Sequence, residues 1–209
     1  MTRAPTYPVN LALAGSSVLV VGGGHVAHRK VLGLLASGAR ITVVAPDVCD
    51  ALRNLAGVRV HEREYQRGEV ASYLVAVSAT GVRSVDEQVY RDATASGIPV
   101  NVADVADLCT FTLPAVVRRG DLQIAVSTNG RSPAFASWLR RRLEQVIDER
   151  YGEALDVVAE VRDELHAAGH SSEIEGWSEA FDEGFVDLVA CGRRDDAKAL
   201  LVAKLGTAA

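Results

Sequence analysis

The chain has 209 residues, of which 48% are hydrophobic and 23% are charged, as is typical of a folded globular protein. Its formal net charge of -5 argues against a dedicated nucleic-acid-binding protein, and the absence of an apolar run of about 18 residues argues against a membrane span. Three cysteines without a CxxC spacing offer no metal-binding framework and favour a reducing compartment. Because residues 1–15 also lack the apolar core of a signal peptide, we expect a cytoplasmic protein without nucleic-acid or membrane partners.

Strands and helices are predicted to alternate over the first half of the chain. The predicted strands span 17–24, 40–46, 58–64, 73–80 and 98–104, and the predicted helices span 25–39 and 84–97. The second helix carries a capping-box pattern, with Ser84 as the cap and Glu87 three residues later. The alternation predicts an α/β fold with a Rossmann-like, doubly wound parallel sheet, in which ligands bind beyond the carboxyl ends of the strands.

The pattern changes after Pro114. A strand is predicted over 121–130, followed by a helix over 132–152 that has Ser132 as its cap and a proline at its first position. Short acidic helices, interrupted at glycines, are predicted from about residue 153 to residue 205.

Charge divides the chain in a similar way. Residues 1–113 are net neutral, residues 114–150 carry a net charge of +3, and residues 151–209 carry a net charge of -8. We therefore expect a Rossmann domain over 1–113, a small α+β segment over 114–150 and a C-terminal helical domain over 151–209.

A glycine-rich pattern, GxGxxA, lies directly after the first predicted strand and opens the first helix. It consists of Gly22, Gly24 and Ala27. Gly22 permits a tight turn, Gly24 keeps a side chain away from a dinucleotide pyrophosphate, and the amides of the helix N-terminus bind the anion. A tight structural turn without a ligand is the alternative interpretation.

Polar side chains follow the second and fifth predicted strands. Asp47 lies within reach of a ribose, and the absence of an arginine at this strand end favours NAD over NADP, although a turn or cap role is also open for Asp47. Asn101 and Asp104 lie where the fifth strand leaves the sheet. A carboxylate there can accept a proton from a substrate that lies against the nicotinamide. Position alone leaves a turn-capping role for Asp104 equally open.

A second polar cluster precedes the helix predicted over 132–152. It consists of Ser127, Thr128, Asn129, Gly130, Arg131 and Ser132. Its hydroxyls, its amide and the positive end of the helix dipole predict a site for carboxylates or phosphates. The three consecutive arginines at 140–142 fan around the helix, which favours a solvated or intersubunit role for them. Trp138 belongs to an apolar stripe that indicates a packing or dimer surface.

These motifs together resemble those of the precorrin-2 dehydrogenase family, which also forms the N-terminal module of sirohaem synthases. The matching segments are VLVVGGGHVAHRK, ITVVAP and NVADVADLCTFTLPAVVRRGDLQIAVSTNGRSPAFASWLRRRLE, so the resemblance covers roughly residues 8–150. It implies an NAD-dependent oxidation of precorrin-2 to sirohydrochlorin by a homodimer built through the central segment. Some members also insert ferrous ion into the product, and the sequence leaves this activity open. Because the macrocycle supplies the metal's nitrogen ligands, no metal-binding residue is predicted in the chain.

The resemblance also implies roles for individual residues. Asp104 matches the family's essential aspartate, which is proposed as the general base. The cofactor site is predicted to comprise Gly22, Gly23, Gly24, His25, Val26, Pro46, Asp47, Thr80 and Asn101. The resemblance also implies that the cluster at 127–132 is the binding site of precorrin-2, which carries eight carboxylates. Gly81 and Val82 depart from the family, whose members often have acidic residues there.

These roles complete the domain description, with an NAD-binding domain over 1–113 and a dimerisation and substrate-binding segment over 114–150. Two other functions remain open from the sequence. One is a non-catalytic NAD-sensing regulatory module, which needs the glycine loop but neither Asp104 nor the cluster at 127–132. The other is a different small NAD oxidoreductase that acts on an anionic metabolite.

Overall fold

A computed structural model describes residues 6–170 and 176–206 of the chain. Residues 171–175, which fall within the predicted C-terminal helices, lie outside the described residues. The chain forms two compact units, Met1–Leu113 and Pro114–Ala209.

A five-stranded parallel sheet forms the centre of the first unit. Its strands are β1 (Ser17–Val21), β2 (Arg40–Ala45), β3 (Val58–Glu62), β4 (Val75–Ser78) and β5 (Val100–Val102). They lie in the order β3-β2-β1-β4-β5, and every neighbouring pair is parallel. The predicted Rossmann-like, doubly wound parallel sheet is therefore confirmed, and β3 lies at one edge of it.

Helices cover both faces of this sheet, which explains why its central strands are almost wholly apolar. The helices are α1 (His25–Leu35), α2 (Asp50–Arg53) and α3 (Arg83–Ala95). On one face, Ala27 and Val31 of α1 are fully buried against β1 and β2. On the other face, Val89 and Ala93 of α3 are fully buried against β4 and β5. Burial of each such valine stabilises the fold by about 1.5–3 kcal/mol.

The predicted capping box at the start of α3 is wrong. The helix begins at Arg83, one residue before Ser84, and its cap residue Val82 makes no side-chain hydrogen bond. Asp86 in the first turn accepts hydrogen bonds from the end of β4 instead. A tertiary contact thus replaces the local capping pattern that the sequence suggested.

The second unit begins with an antiparallel hairpin, β6 (Ala115–Arg119) and β7 (Leu122–Val126), against which α4 (Pro133–Val146) packs. The sequence indicated β7 and α4, whereas β6 was missed. The side chain of Arg119 helps to hold β6 in place, because its guanidinium donates to the carbonyl of Glu144 at 3.2 Å and lies 3.3 Å from the Glu149 carboxylate.

A helical cluster completes the second unit. It contains α5 (Arg150–Ala167), α6 (Trp177–Ala180), a π-helical turn (Phe181–Phe185), α7 (Val186–Ala190) and α8 (Arg194–Gly206). Val157 and Val161 of α5 meet Leu201 of α8 in its core. The single helix predicted over 132–152 is wrong in extent, because α4 ends at Val146 and the Asp148 carboxylate accepts the N–H of the first residue of α5 at 3.1 Å.

Gly152 in α5 allows this helix to approach the end of β6. A Cβ at this position would lie 2.8 Å from the carbonyl oxygen of Arg119. Although alanine normally stabilises a helix relative to glycine, we expect Gly152→Ala to lower the free energy of unfolding by about 1–3 kcal/mol because backbone must move. Urea denaturation measures this change. Gly33→Ala in α1, where nothing lies within 4 Å, is the control and is expected to stabilise by up to about 1 kcal/mol; stabilisation by both changes would contradict the tight contact.

Candidate functional site

Three consecutive glycines connect β1 to α1, and their surroundings differ. Gly22 has φ +120°, and a Cβ on it would lie 2.3 Å from the carbonyl oxygen of Ala79. A Cβ on Gly23 would lie 2.0 Å from the carbonyl oxygen of Asp47. Gly24 is exposed, and a Cβ on it would have nothing within 4 Å. Gly22 and Gly23 are therefore required by packing, whereas Gly24 leaves open space beside the helix.

The N-terminus of α1 has the chemistry of an anion site. Gly24 is its cap residue, no side chain caps the helix, and no acidic residue lies in its first turn. The first backbone bond runs from His28 N–H to the Gly24 carbonyl at 3.0 Å, so the preceding amides, including those of His25 and Val26, point out of the helix end. These residues fit a dinucleotide pyrophosphate, because the space at the N-terminus of α1 is open and this end of the helix dipole is positive.

The segment after β2 lies against this turn. The N–H of Cys49 donates to the carbonyl of Gly23 at 2.9 Å, and Pro46 and Asp47 are both exposed. The nearest arginine along the chain, Arg53 of α2, is bound through two nitrogens to the Glu62 carboxylate at 3.0 and 3.1 Å. The end of β2 thus presents a carboxylate, and the guanidinium that follows it is already paired.

A buried carboxylate in the first turn of α3, which no sequence motif indicated, lies against the end of β4. Asp86 is 4% exposed and accepts hydrogen bonds from Ser78 Oγ at 2.6 Å and from Thr80 Oγ1 at 2.8 Å. Thr80 Oγ1 also accepts the N–H of Val82 at 3.0 Å. The only signal in the sequence was an aspartate in the first turn of α3, which the apparent capping box obscured.

The end of β5 carries Asn101 and Asp104 in different environments. Asn101 is 8% exposed, and its amide nitrogen donates to the carbonyl of Phe111 at 3.0 Å, which holds the loop that follows β5. Cys109 contributes to the same loop, because its sulfur accepts the N–H of Val102 at 3.2 Å. Asp104 is exposed at the start of this loop. Asn101 therefore supports the loop, whereas the Asp104 carboxylate remains accessible.

Lys30 of α1 lies near Asp104 and was missed by sequence reasoning. Partial burial lowers the pKa of Lys30, and the neighbouring Asp104 carboxylate opposes that shift. No motif marks this lysine, because the proximity arises only when the loop after β5 packs beside α1. The Lys30 side chain is therefore close enough to interact electrostatically with the candidate base.

The polar cluster at 127–132 is a hydrogen-bonded turn at the start of α4. The N–H of Arg131 donates to the carbonyl of Thr128 at 3.0 Å, while Asn129 and Gly130 have φ +53° and +76°. Thr128 Oγ1 accepts the N–H of Ser132 at 3.1 Å and donates to its carbonyl at 3.2 Å. The hydroxyl of Thr128 thus stabilises the turn itself.

The predicted cap of α4 is confirmed, since Ser132 Oγ accepts the N–H of Phe135 at 3.1 Å and Pro133 occupies the first position. These features also reduce the number of backbone donors at the helix end. Pro133 has no N–H and that of Phe135 is taken, so the amide of Ala134 remains in the first turn. The exposed Arg131 side chain adds a cation at the same end. The cluster therefore offers a ligand fewer hydrogen-bond donors than its sequence suggests.

Each of the two candidate sites contains a non-glycine residue with left-handed backbone. Within residues 6–170 and 176–206, the non-glycine residues with positive φ are Asp104, at +60°, and Asn129, at +53°. Each belongs to one of the sites predicted from the sequence. Although aspartate and asparagine tolerate this conformation better than other residues, such backbone costs energy and is concentrated at functional positions.

Models of known protein families match segments of both units. A family model described as NAD(P)-binding matches residues 9–115, and a model of the sirohaem biosynthesis protein central segment matches residues 119–145. No helix in the described part of the chain is both long and apolar enough to cross a membrane.

Similar proteins carry related descriptions. A siroheme synthase from Psychrobacter arcticus is 35% identical over 209 residues, which cover 98% of this chain and 38% of the relative. A siroheme synthase from Pseudomonas fluorescens is 36% identical over 94% of this chain and 43% of its own length, so the chain spans about two fifths of these relatives. The solved structure of SirC, precorrin-2 dehydrogenase, superimposes with a TM-score of 0.73 at 28% identity and covers 94% of this chain and 98% of SirC. The chain therefore belongs to the NAD(P)-binding family whose model spans residues 9–115, and its resemblance to the precorrin-2 dehydrogenases is confirmed.

Proposed function

We propose that the chain oxidises precorrin-2 to sirohydrochlorin, with NAD as the hydride acceptor. The observation that carries this proposal is the presence of an open anion seat at Gly24 and an accessible carboxylate at Asp104 at the same edge of one parallel sheet. Ligands of doubly wound sheets bind at that edge. The likeness to SirC, which extends over nearly its whole length, supports the same reaction.

The residues of the first unit have distinct tasks in this reaction. When bound, NAD supplies the acceptor for the hydride that leaves precorrin-2. The amides of His25 and Val26 hold the pyrophosphate at the N-terminus of α1. Asp104 accepts the proton that leaves the macrocycle with the hydride, and Lys30 is close enough to interact electrostatically with that carboxylate. The products are sirohydrochlorin, NADH and a proton. Because the cofactor takes up the hydride, the chain's main contribution is to position the two reactants.

We assign NAD rather than NADP on the residues that follow β2. Asp47 is exposed next to the glycine turn, where its carboxylate suits free ribose hydroxyls and repels a 2′-phosphate. Arg53 is paired with Glu62 and Asp50, so it would have to give up these contacts to bind such a phosphate.

We assign the carboxylates of precorrin-2 to the cluster at 127–132. Arg131 and the amide of Ala134 provide positive charge and a backbone donor. Ser127 and Ser132 accept backbone N–H groups through their oxygens and retain their hydroxyl hydrogens for a ligand.

We also propose a cytoplasmic location, in keeping with the free thiols of Cys49, Cys109 and Cys191.

We further propose that the chain is a homodimer that uses an exposed face of α4. Phe135 and Trp138 are 53% and 48% exposed with ring centroids 5.4 Å apart, and Val146 is 64% exposed. Large aromatic side chains with this exposure are typical anchors of protein interfaces.

Replacement of Trp138 by glutamate is expected to weaken the dimer about 100-fold, because a charge replaces a buried interface anchor. Sedimentation velocity at micromolar concentration measures the change. Val202→Glu is the control, since it removes a side chain of α8 that is similarly exposed, at 49%, and should leave the dimer intact. A wild-type monomer, or a dimer that is insensitive to Trp138→Glu, would contradict the proposed interface.

The catalytic proposal is tested by incubating the purified protein with NAD and enzymatically generated precorrin-2. We expect the absorbance of sirohydrochlorin to appear only when both protein and NAD are present. A protein that binds NAD without this conversion would instead be the sensing module considered above, and conversion of another anionic metabolite would indicate a different oxidoreductase. Addition of ferrous ion to sirohydrochlorin with the protein tests whether iron insertion follows.

A further inference from the structure

The buried carboxylate of Asp86 has no role in the reaction described so far. It lies in the first turn of α3 with 4% of its surface exposed, beside the fully buried Ser78. Its Oδ1 accepts hydrogen bonds from Ser78 Oγ at 2.6 Å and from Thr80 Oγ1 at 2.8 Å. Because a buried carboxylate is costly unless it is hydrogen-bonded, these two short bonds account for its tolerance in the core.

The bond to Asp86 fixes what Thr80 can offer to a ligand. A hydroxyl has one hydrogen, and the nearer, charged acceptor for it is the Asp86 carboxylate at 2.8 Å rather than the Val82 carbonyl at 3.3 Å. The oxygen of Thr80 already accepts the N–H of Val82 at 3.0 Å, so one lone pair remains. Thr80 therefore presents a hydrogen-bond acceptor, and it cannot act as a donor without losing Asp86.

Thr80 also lies at the wall of the glycine turn. A Cβ on Gly22 would lie 2.3 Å from the carbonyl oxygen of Ala79 and 3.1 Å from the backbone nitrogen of Thr80. The N–H of Ala79 donates to the carbonyl of Val21 at 2.7 Å, which fixes this loop to the end of β1. The backbone of Thr80 is thus held beside the turn in which we propose that the dinucleotide binds.

We propose that Asp86 is a positioning residue for the dinucleotide and acts by holding Thr80 as an acceptor for a cofactor donor. That donor is a ribose hydroxyl or the N–H of the carboxamide, both of which a nicotinamide dinucleotide carries. The inference rests on the proposed function, because it requires the glycine turn to bind this cofactor.

Titration of NAD into the purified wild-type protein and four variants tests the proposal. Thr80→Val removes the acceptor and should weaken NAD binding about three- to tenfold, the value of one net hydrogen bond. Asp86→Leu leaves Thr80 unoriented and should weaken binding to a similar extent, whereas Asp86→Asn keeps an acceptor oxygen and should restore affinity to within about twofold. The double variant, which combines Asp86→Leu with Thr80→Val, should bind no worse than Thr80→Val alone, because Asp86 acts through Thr80.

Asp92 provides the matched control on the same helix. Its carboxylate accepts hydrogen bonds from Tyr65 OH at 2.9 Å, from Gly68 N–H at 2.7 Å and from Gln88 Nε2 at 2.6 Å, and none of these three donors belongs to the loop of Thr80. Asp92→Leu should lower stability and leave NAD affinity unchanged. A merely structural Asp86 would behave in the same way as Asp92.

The outcomes separate this inference from the proposed function. Wild-type NAD affinity in folded Thr80→Val, or additive losses in the double variant, would overturn the inference while the chain remains an NAD-binding protein. Absence of NAD binding by the wild type would overturn the proposed function itself. If Asp86→Leu fails to fold, the smaller Asp86→Ala takes its place in the single and double variants, and Thr80→Ser, which retains the acceptor, should bind NAD with wild-type affinity. The 3-acetylpyridine analogue of NAD lacks the carboxamide N–H, so a Thr80→Val penalty that disappears with it assigns that donor, and one that persists assigns a ribose hydroxyl.

Discussion

Replacement of Asp104 by asparagine is expected to reduce turnover of precorrin-2 by about 10²- to 10⁴-fold while NAD still binds. The change removes the proton acceptor and keeps the size of the side chain. It also suits the backbone, because asparagine tolerates the left-handed conformation that Asp104 adopts at φ +60°. Alanine would abolish turnover as well, but it would add backbone strain of about 1–2 kcal/mol at this position.

Asp107→Asn is the matched control for this prediction. Asp107 is an exposed carboxylate in the same loop after β5, and its replacement should leave kcat within about twofold. Steady-state turnover with saturating NAD, together with NAD titration, distinguishes a lost base from a lost cofactor site. If Asp104→Asn retained turnover within tenfold of the wild type, Asp104 would lose its assigned role.

Replacement of Gly24 by aspartate is expected to separate cofactor binding from stability. Aspartate is a better helix cap than glycine, so the free energy of unfolding should stay constant or rise by a few tenths of a kcal/mol. The new carboxylate would occupy the open space at the N-terminus of α1 and repel the pyrophosphate, which should weaken NAD binding at least about 100-fold. Calorimetric titration and urea denaturation measure the two effects separately.

Two other glycines serve as controls for Gly24. Gly33→Ala, in the same helix, should stabilise the protein without a change in NAD affinity. Gly23→Ala should destabilise it by about 3 kcal/mol, because its Cβ would lie 2.0 Å from the Asp47 carbonyl oxygen. Unchanged NAD affinity in Gly24→Asp would show that the open space at this turn does not receive the cofactor.

The sequence predicted the features that arise from local patterns. Apolar strands such as SVLVV and RITVVA indicate a sheet buried on both faces, and the parallel order follows from helices between strands. The Ser132-Pro pair predicts the start of α4 because serine caps a helix and proline fits its first position. The three glycines after β1 indicate the turn, although only the structure separates Gly23, which packs, from Gly24, which is open.

The features that were missed depend on contacts between distant segments. Ser84 and Glu87 form a convincing local capping pattern, yet the partner of α3 is Ser78 at the end of β4. Lys30 approaches Asp104 only through the folding of the loop after β5. In the cluster at 127–132, the sequence shows which donors are present but not that Thr128 uses its hydroxyl to close the turn.

The central claim is that this chain transfers a hydride from precorrin-2 to NAD, and a single reaction that follows both products tests it most directly. The absorbances of NADH and sirohydrochlorin are recorded together after the protein is added to NAD and precorrin-2. We expect the two products to appear at the same rate and in equal amounts. Formation of sirohydrochlorin without NADH, or the absence of both products with a protein that binds NAD, would contradict the account.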